Sequence, residues 1–174
     1  MPPTDTSAAL PQPDRATTFT ALLERHRGIV VKVAGTYTRG TEERAELMQE
    51  IAAQLWRAYP RYDPARSFST WMYRIALNVA ISALRERRRD DDHLAPLSGE
   101  ALDIADPAAS DPLRELQVRA LHRFIAALPP LDRALMLLYL DDRSHAEIAE
   151  VLGISEGNAA TKVSRLKQRI RHEL

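Results

Sequence analysis

The sequence predicts an all-α protein made of two small helical domains joined by an acidic, flexible linker. Apolar residues recur at three- and four-residue spacing through most of the chain from residue 19 onward, and no segment alternates with period two. Proline and glycine stand where the helical pattern breaks, and the stretch 90–110 has no periodicity at all. A length of 174 residues is enough for two domains that each bury a core.

Three helices are predicted for the first domain, residues 19–89, after a disordered leader at 1–18 that is rich in Pro, Thr, Ser and Ala. An apolar stripe defines the first helix, and the second ends at Pro60. The third starts near Ser67 or Ser69 and runs into three consecutive arginines. The predicted core positions are Phe19, Leu22, Leu23, His26, Ile29, Val30, Val33, Ala34, Met48, Ile51, Ala52, Leu55, Trp56, Tyr59, Trp71, Met72, Ile75, Ala76, Val79, Ala80, Ala83 and Leu84.

The second domain, residues 111–174, is predicted to contain a further series of helices. Asp111-Pro112 is a strong helix start, because Asp is a good N-cap and Pro suits the first helical position. The Ser144–Glu147 capping box opens a later helix, and Gly153 ends it where a left-handed residue is needed. The predicted core positions are Leu113, Leu116, Ala120, Leu121, Phe124, Ile125, Leu128, Ala159, Val163, Leu166 and Ile170.

The last two helices have the form of a helix-turn-helix, with Ser155 capping the final helix. The outward face of that helix is polar and basic, without bulky apolar groups. Amide, hydroxyl and guanidinium groups read base edges in a major groove, and the remaining cations meet phosphates. An ordinary helical hairpin is the alternative, but cap, glycine and spacing together favour DNA binding. The outward residues are Glu156, Gly157, Asn158, Thr161, Lys162, Arg165 and Arg169.

The charges are balanced overall but strongly segregated. The chain has 24 Lys+Arg and 24 Asp+Glu. Residues 57–89 contain eight Arg and two acids (8 − 2 = +6), and residues 157–174 contain five bases and one acid (5 − 1 = +4). Between them, residues 90–115 contain eight acids and one Arg (1 − 8 = −7). Solvated helix faces would give such a pattern, yet a neutral total does not exclude DNA binding, because phosphate neutralisation depends on local charge.

Composition argues against several other classes of protein. Without cysteine the chain has no disulfide, thiolate nucleophile or sulfur-ligated zinc. The histidines form no recognisable metal spacing, and no nucleophile stands with a base, so we predict neither a metal, a cofactor nor an enzyme. No apolar stretch resembles a signal peptide or is long enough for membrane insertion. A cytoplasmic location is therefore expected.

Two features of the first domain have competing interpretations. Arg74, Asn78, Ser82 and Arg85 form a polar line on the third helix, and the stretch 66–71 before it interleaves hydroxyls with aromatic rings. This combination suits single-stranded bases, although spacing alone favours rings that simply belong to the core. In addition, acidic residues crowd the first turns of the second helix. They either complement the helix dipole or form a protein-docking face.

Several segments resemble extracytoplasmic-function sigma factors of bacterial RNA polymerase, and both conserved domains of that family occur in the expected order. A lone helix-turn-helix would be a weak signal, whereas the tandem is specific and covers nearly all of the chain from residue 19. The segments that resemble the first domain are Ala45–Glu50, Leu55-Trp56, Phe68–Asn78 and Leu84-Arg85, and those that resemble the second are Leu128–Arg133 and Glu147–Ser155.

The resemblance implies an alternative sigma factor whose partners are promoter DNA and core RNA polymerase, through the coiled coil of its largest subunit and its flap region. An anti-sigma factor is a further candidate partner. The first domain would also melt the −10 element and take a non-template base into a pocket, and the second would read the −35 duplex. By position, the residues that would face the polymerase are Glu46, Gln49 and Glu50. Those that would handle the −10 strand are Arg66, Ser67, Phe68, Ser69, Thr70, Trp71, Arg74, Asn78, Ser82 and Arg85. Those that would read the −35 duplex are Ser155, Glu156, Gly157, Asn158, Thr161, Lys162, Arg165 and Arg169.

Three positions depart from the family pattern. Glu46 replaces a frequent Asp and keeps the carboxylate, whereas Ser82 replaces a frequent Asp and removes a charge from the −10 face. Ala160 stands where a base is common, which changes the set of −35 contacts. Two rival functions remain: a DNA-binding regulator that uses only the helix-turn-helix, and a sigma-like decoy that binds an anti-sigma factor but no promoter.

Overall fold

The computed structural model describes residues 14–91 and 112–173, and within these ranges all regular structure is helical. The predicted all-α fold is thus confirmed. The first 13 residues of the predicted leader and residues 92–110 of the predicted linker lie outside the described residues, and α4 includes the first two linker positions, 90 and 91. The helices are α1 (Arg15–Arg25), α2 (Arg27–Tyr37), α3 (Thr41–Ala58), α4 (Phe68–Asp91), α5 (Pro112–Ala127), α6 (Pro130–Leu140), α7 (His145–Leu152) and α8 (Glu156–Glu173), with one 3-10 turn at Tyr59–Arg61.

The first module consists of α1 to α4, with α2, α3 and α4 packed against one another. Its core is built from apolar positions of these helices, as predicted. On α4, however, the buried stripe includes Tyr73 and Leu77, which the sequence analysis did not place inward. The ring of Tyr73 is buried because this side of α4 also faces the second module.

The first helix differs from its prediction at both ends. It begins at Arg15, so residues 15–18 are helical although the disordered leader was predicted to extend through them. It also ends at Arg25, and a second helix starts at Arg27. The break lies at His26, whose backbone N–H is shared between the carbonyls of Leu22 and Leu23 and whose ring Nδ1 lies 3.0 Å from the carbonyl oxygen of Leu22. The apolar stripe continues across the break, so its periodicity could not reveal it.

Trp56 was predicted to face the core, and this prediction is wrong. The buried line of α3 runs through Leu47, Ile51 and Leu55, and Trp56 lies about 100° farther round the helix. Its side chain is 40% exposed and contacts the ring of Phe19 at a centroid distance of 5.1 Å. The guanidinium of Arg15 lies over the indole, 5.3 Å from the ring centroid.

The second module consists of α5 to α8 and is centred on α6, whose middle residues are all buried. Leu113 and Leu116 of α5 were predicted to be core residues, but they are 65% and 61% exposed. Only the C-terminal half of α5 packs inward, where Phe124 is buried and Leu128 follows the helix end. The helix itself was predicted correctly, but the sequence does not show how much of α5 the neighbouring helices cover.

The turn into α7 carries a complete capping box. The backbone N–H of Glu147 donates to Ser144 Oγ at 3.1 Å, and the N–H of Ser144 donates to the Glu147 carboxylate at 2.8 Å. The N–H of Ser144 lowers the pKa of Glu147, so the carboxylate stays charged in this role. At the other end, Gly153 has φ +67°, the left-handed conformation that the sequence predicted.

Ser144→Ala should destabilise the protein by about 1 kcal/mol, because the first turn of α7 loses its side-chain acceptor. Thermal unfolding followed by circular dichroism measures the effect. Ser164→Ala is a suitable control, since Ser164 is an exposed residue within α8. A loss for Ser144→Ala no larger than that of the control would contradict the capping role.

The two modules pack directly on each other through α2 and α4 on one side and α6 and α7 on the other. The hydroxyl of Tyr37 donates to the carbonyl of Pro130 at 2.7 Å. Arg133 is buried at the same place, where its guanidinium donates to the carbonyl of Thr36 and lies 5.4 Å from the centroid of the Tyr37 ring. In the described part of the chain the two modules are therefore in contact, and each covers part of the other's surface. We call this arrangement the closed chain.

Candidate nucleic-acid and protein interfaces

The outer face of α8 carries most of the side chains predicted to read duplex DNA. Ser155 caps the helix, since its Oγ accepts from the N–H of Asn158 at 3.1 Å. Ala159, Val163 and Leu166 are buried, which turns the opposite face to solvent. The predicted readers that are exposed on this module are Ser155, Glu156, Gly157, Asn158, Thr161, Arg165 and Arg169.

Two cations of the predicted set already have partners within the protein. Lys162 is half-buried, with its Nζ 3.5 Å from a carboxylate oxygen of Asp132. Arg169 donates to Glu173 at 3.1 Å, and its guanidinium lies 5.2 Å from the centroid of the Phe124 ring. Lys162 is thereby held against its own module, whereas Arg169 stays exposed although it is paired. Arg165 is therefore the predicted cation that best fits a base edge.

Sequence reasoning missed two further polar side chains on this surface. Ser164 and Gln168 are exposed on α8, three and seven residues after Thr161, so the three lie on one side of the helix beside Arg165. Their exposure could have been predicted from the buried positions Val163 and Leu166.

The polar line on α4 is present as predicted. Arg74, Asn78, Ser82 and Arg85 are all exposed, and their spacing places them along one side of the helix. Met72, Ala76 and the other buried residues of α4 occupy the opposite side. The first module thus presents two guanidinium groups, an amide and a hydroxyl in a row.

The segment before α4 forms an aromatic cluster in which not all predicted strand contacts are accessible. Phe68 and Thr70 are buried, because Phe68 packs against Tyr62, His26 and Trp71 at centroid distances of 5.1–5.3 Å. Trp71 is only half-buried and lies 5.0 Å from the ring of Tyr62. Tyr62 and Trp71 therefore offer the ring surface here, and Phe68 supports them from below.

The acidic start of α3 divides into two sets. Glu43 is engaged within the module, because it accepts from Arg87 at 2.7 Å and from the backbone N–H of Arg39 at 3.2 Å. Glu46, Gln49 and Glu50 are exposed, and the i, i+3, i+4 spacing places them together on the solvent side of α3. This second set is the one predicted to face the polymerase.

A polar network joins the two modules beside the segment that was predicted to contact the −10 strand. Asp141 follows α6, and its carboxylate accepts from Lys32 Nζ and, at 2.6 Å, from the hydroxyl of Tyr73. Arg143 donates to Ser69 Oγ at 2.9 Å, and its guanidinium lies 5.2 Å from the centroid of the Tyr73 ring. In addition, Arg66 Nη1 lies 3.6 Å from Glu150 Oε1. Ser69 and Arg66, both of the predicted −10 set, thus contact the second module.

The network shifts the acidity of its members. Partial burial alone would raise the pKa of Asp141, but hydrogen bonds from Lys32 and Tyr73 outweigh it and hold that pKa below its usual value. Burial, together with the hydrogen bond to Asp141, raises the pKa of Tyr73 well above its usual range. Near neutral pH the contact is therefore between a carboxylate and a neutral phenol, with the ammonium of Lys32 beside it.

Among the described residues, no helix is both long enough and apolar enough to cross a bilayer. Within the same residues, no group of three or more His, Cys, Asp or Glu side chains could hold a metal ion. The chemistry available on these surfaces is thus that of exposed charges, amides, hydroxyls and rings.

Comparison with known proteins agrees with this geometry. The model of sigma-70 region 2 matches residues 22–90, and that of sigma-70 region 4 matches residues 118–170. The ECF RNA polymerase sigma factor RpoE of Cereibacter sphaeroides is 30% identical over 154 residues, which are 85% of this chain and 79% of the relative. The chain belongs to the extracytoplasmic-function sigma factors.

Other relatives of this sigma factor include SigW of Bacillus subtilis, 26% identical over 90% of this chain and 88% of the relative. A probable RNA polymerase sigma factor, RfaY of Xanthomonas campestris, is 31% identical over 83% of this chain, which spans only 37% of that protein. Among solved structures, the sigma factor RpoE of Bartonella quintana, in complex with the anti-sigma factor NepR, has a TM-score of 0.70 at 16% identity over 90% of this chain and 94% of that one. The last likeness supports the fold.

Proposed function

We propose that this sigma factor binds core RNA polymerase in the cytoplasm and directs it to promoters by reading a −35 duplex and capturing a −10 strand. It has no catalytic step of its own in this role. The observation that supports the proposal most strongly is the tandem itself. A module with an exposed polar line on α4 precedes a helix-turn-helix with an exposed reading face on α8.

Duplex reading is assigned to α8. The helix is amphipathic, and its outward side lacks bulky apolar groups, so it can enter a major groove without a clash. Arg165 can present two donors to a guanine edge, while Asn158 and Thr161 offer an amide and a hydroxyl. The partnered cations Lys162 and Arg169 belong to the rim, where they would approach phosphates after giving up their contacts with Asp132 and Glu173.

Strand capture is assigned to the segment before α4 and to the polar line on that helix. Rings at Tyr62 and Trp71 provide stacking surface, and Arg74 and Asn78 lie one and two turns farther along. Each stacked base contributes ~1–3 kcal/mol, which offsets the cost of unstacking it from the duplex. Promoter melting can therefore draw on binding free energy alone.

The exposed acids of α3 are assigned to the polymerase. Glu46 and Glu50 have no ion-pair partner among the described residues at the distances of a salt bridge, so their charge is available to a basic surface. An anti-sigma factor is a second proposed partner. This proposal is supported by the family and by solved neighbours such as CnrH, whose structure is a complex with the cytosolic domain of CnrY.

The experiment adds the purified chain to core RNA polymerase and sequences the 5′ ends of transcripts made from fragmented bacterial genomic DNA. The proposal expects new start sites that share two sequence elements at constant spacing. Core polymerase alone, and core polymerase with a primary sigma factor, are the controls.

The two rival functions give different outcomes. A regulator that uses only the helix-turn-helix would bind duplex DNA yet add no start site to core polymerase. A decoy would bind neither core polymerase nor promoter fragments. Either result would contradict the proposed function.

A further inference from the structure

Asp141 occupies an anion site that belongs to the first module. Its carboxylate comes from the turn after α6, whereas two of its donors, Lys32 on α2 and Tyr73 on α4, lie in the other module. The donors are of different kinds: Lys32 is partly exposed, with 45% of its side chain accessible, and Tyr73 is held in the core. The Lys32 ammonium and the Tyr73 hydroxyl both donate to the Asp141 carboxylate, so together they form a preformed anion-binding site.

The site adjoins the segment assigned to strand capture. Arg143 links the two, because one of its nitrogens lies 3.6 Å from Asp141 and another donates to Ser69. Ser69 and Arg66 both contact the second module in the closed chain, so their strand contacts require that this module move away. Asp141 and Arg143 belong to the same turn and would leave together.

Separation of the modules changes what the donors face. The ring of Tyr73 stays on α4 but loses the cover of the second module, and its hydroxyl loses the only acceptor that the described structure gives it. Lys32 likewise loses its carboxylate partner. An ammonium and a phenol that bound a carboxylate can then accept an oxygen anion from outside the protein in its place. A phosphodiester fits, since its oxygens accept hydrogen bonds and carry charge as a carboxylate does.

We propose that Lys32 and Tyr73 bind a backbone phosphate of the strand captured at the −10 element, and that Asp141 occupies this phosphate site in the closed chain. The inference rests on the proposed function. It adds a phosphate contact on α2 to a strand path previously assigned only to α4 and the segment before it. An acidic group of a protein partner is the rival ligand. DNA is favoured because the site is continuous with Ser69 and Arg66.

The proposal makes opposite predictions for the two sides of the contact. Asp141→Asn removes the negative charge that competes with phosphate, so the isolated full-length chain should bind single-stranded DNA about threefold to tenfold more tightly. Lys32→Ala removes a phosphate donor, so binding should weaken by a similar factor. Its slope of log affinity against log salt concentration should also become shallower by about 0.7, the value for one phosphate contact on a single strand.

The measurement is fluorescence anisotropy with a labelled 20-nucleotide single-stranded DNA of mixed sequence, using the full-length chain alone and in complex with core polymerase. Matched controls are Asp142→Asn, which removes the neighbouring exposed carboxylate, and Arg27→Ala, which removes another exposed cation from α2. Asn tolerates the positive φ of 56° at position 142, so that control adds no strain. Both controls should match wild type in affinity, and Arg27→Ala should keep the wild-type salt slope.

Three outcomes would overturn the proposal. Tighter strand binding by both Lys32→Ala and Asp141→Asn would mean that the contact only holds the modules closed. Unchanged affinity and salt slope for Lys32→Ala, in a variant that still drives promoter-specific transcription, would remove the phosphate site and leave the proposed function intact. Failure of the wild-type chain to bind either core polymerase or DNA would remove both.

Discussion

Reversing Glu46 and Glu50 to Lys should lower the affinity for core RNA polymerase by about tenfold or more. Both side chains are exposed on α3 with Gln49 between them, so the double variant turns an acidic face into a basic one. The fold should survive, because each reversal costs only helix-dipole terms of ~0.3–1 kcal/mol. Competition with labelled wild-type chain for core polymerase measures the change, and circular dichroism checks the helical content.

The control for this experiment is Glu24→Lys with Glu86→Lys. These residues are also exposed, lie on α1 and α4, and give the same change of net charge. They should leave the affinity within about threefold of wild type at physiological salt, where exposed charges are largely screened beyond ~8 Å. The docking assignment is wrong if the Glu46 and Glu50 variant competes as well as wild type.

Arg165→Ala should cost ~1–3 kcal/mol in binding to the −35 duplex and relax the preference at one base pair. Arg165 is exposed on α8, next to Thr161 on the same side, and unlike Lys162 and Arg169 it has no ion pair among the described residues. Lys162→Ala should weaken binding to all duplex sequences equally, and by less than Arg165→Ala does, because the ammonium group of Lys162 is already paired with Asp132. Anisotropy on duplexes with single base-pair changes measures both effects.

The same duplexes separate reading from strand capture. Asn78 lies on α4. Asn78→Ala should leave the affinity for the −35 duplex unchanged and reduce open-complex formation with core polymerase. Arg171→Ala, an exposed cation near the end of α8, is the matched control for Arg165 and should affect neither measurement strongly. Equal loss of duplex affinity from Asn78→Ala and Arg165→Ala would show that the modules do not divide these tasks.

Helix positions and most core faces followed from the sequence because both depend on local spacing. The capping box at Ser144 and the left-handed Gly153 were predictable for the same reason, since each uses residues within one turn. The exposure of Leu113 and Leu116 was not predictable, because it depends on how far neighbouring helices reach along α5. Periodicity identifies the apolar face of a helix but does not show what covers it.

The packing of one module on the other is the feature that sequence reasoning missed. It uses isolated residues far apart in the chain, such as Lys32, Tyr73 and Asp141, whose types are common on any surface. Tyr73 was the available signal: a Tyr on a helix with an otherwise aliphatic buried face needs a partner for its hydroxyl. The partner lies in the other module, and spacing could not identify it.

The candidate site shows the same division. The exposed lines on α4 and α8 were predictable from the complementary buried stripes. That Phe68 and Thr70 are buried, and that Lys162 is paired with Asp132, could be seen only once the helices were packed. Charge alone therefore overstates how many cations of α8 are available to DNA.

The central claim is that one chain reads two separate promoter elements, each with its own module. The most direct test follows strand opening by 2-aminopurine fluorescence at the −10 element, with wild-type chain and core polymerase, on three templates. These are a promoter recovered from genomic transcription and two versions in which either the −35 or the −10 element is scrambled. Scrambling the −35 element should lower the affinity of the complex for the template, and scrambling the −10 element should abolish opening without loss of −35 binding. Full opening on the template with the scrambled −10 element would contradict the account.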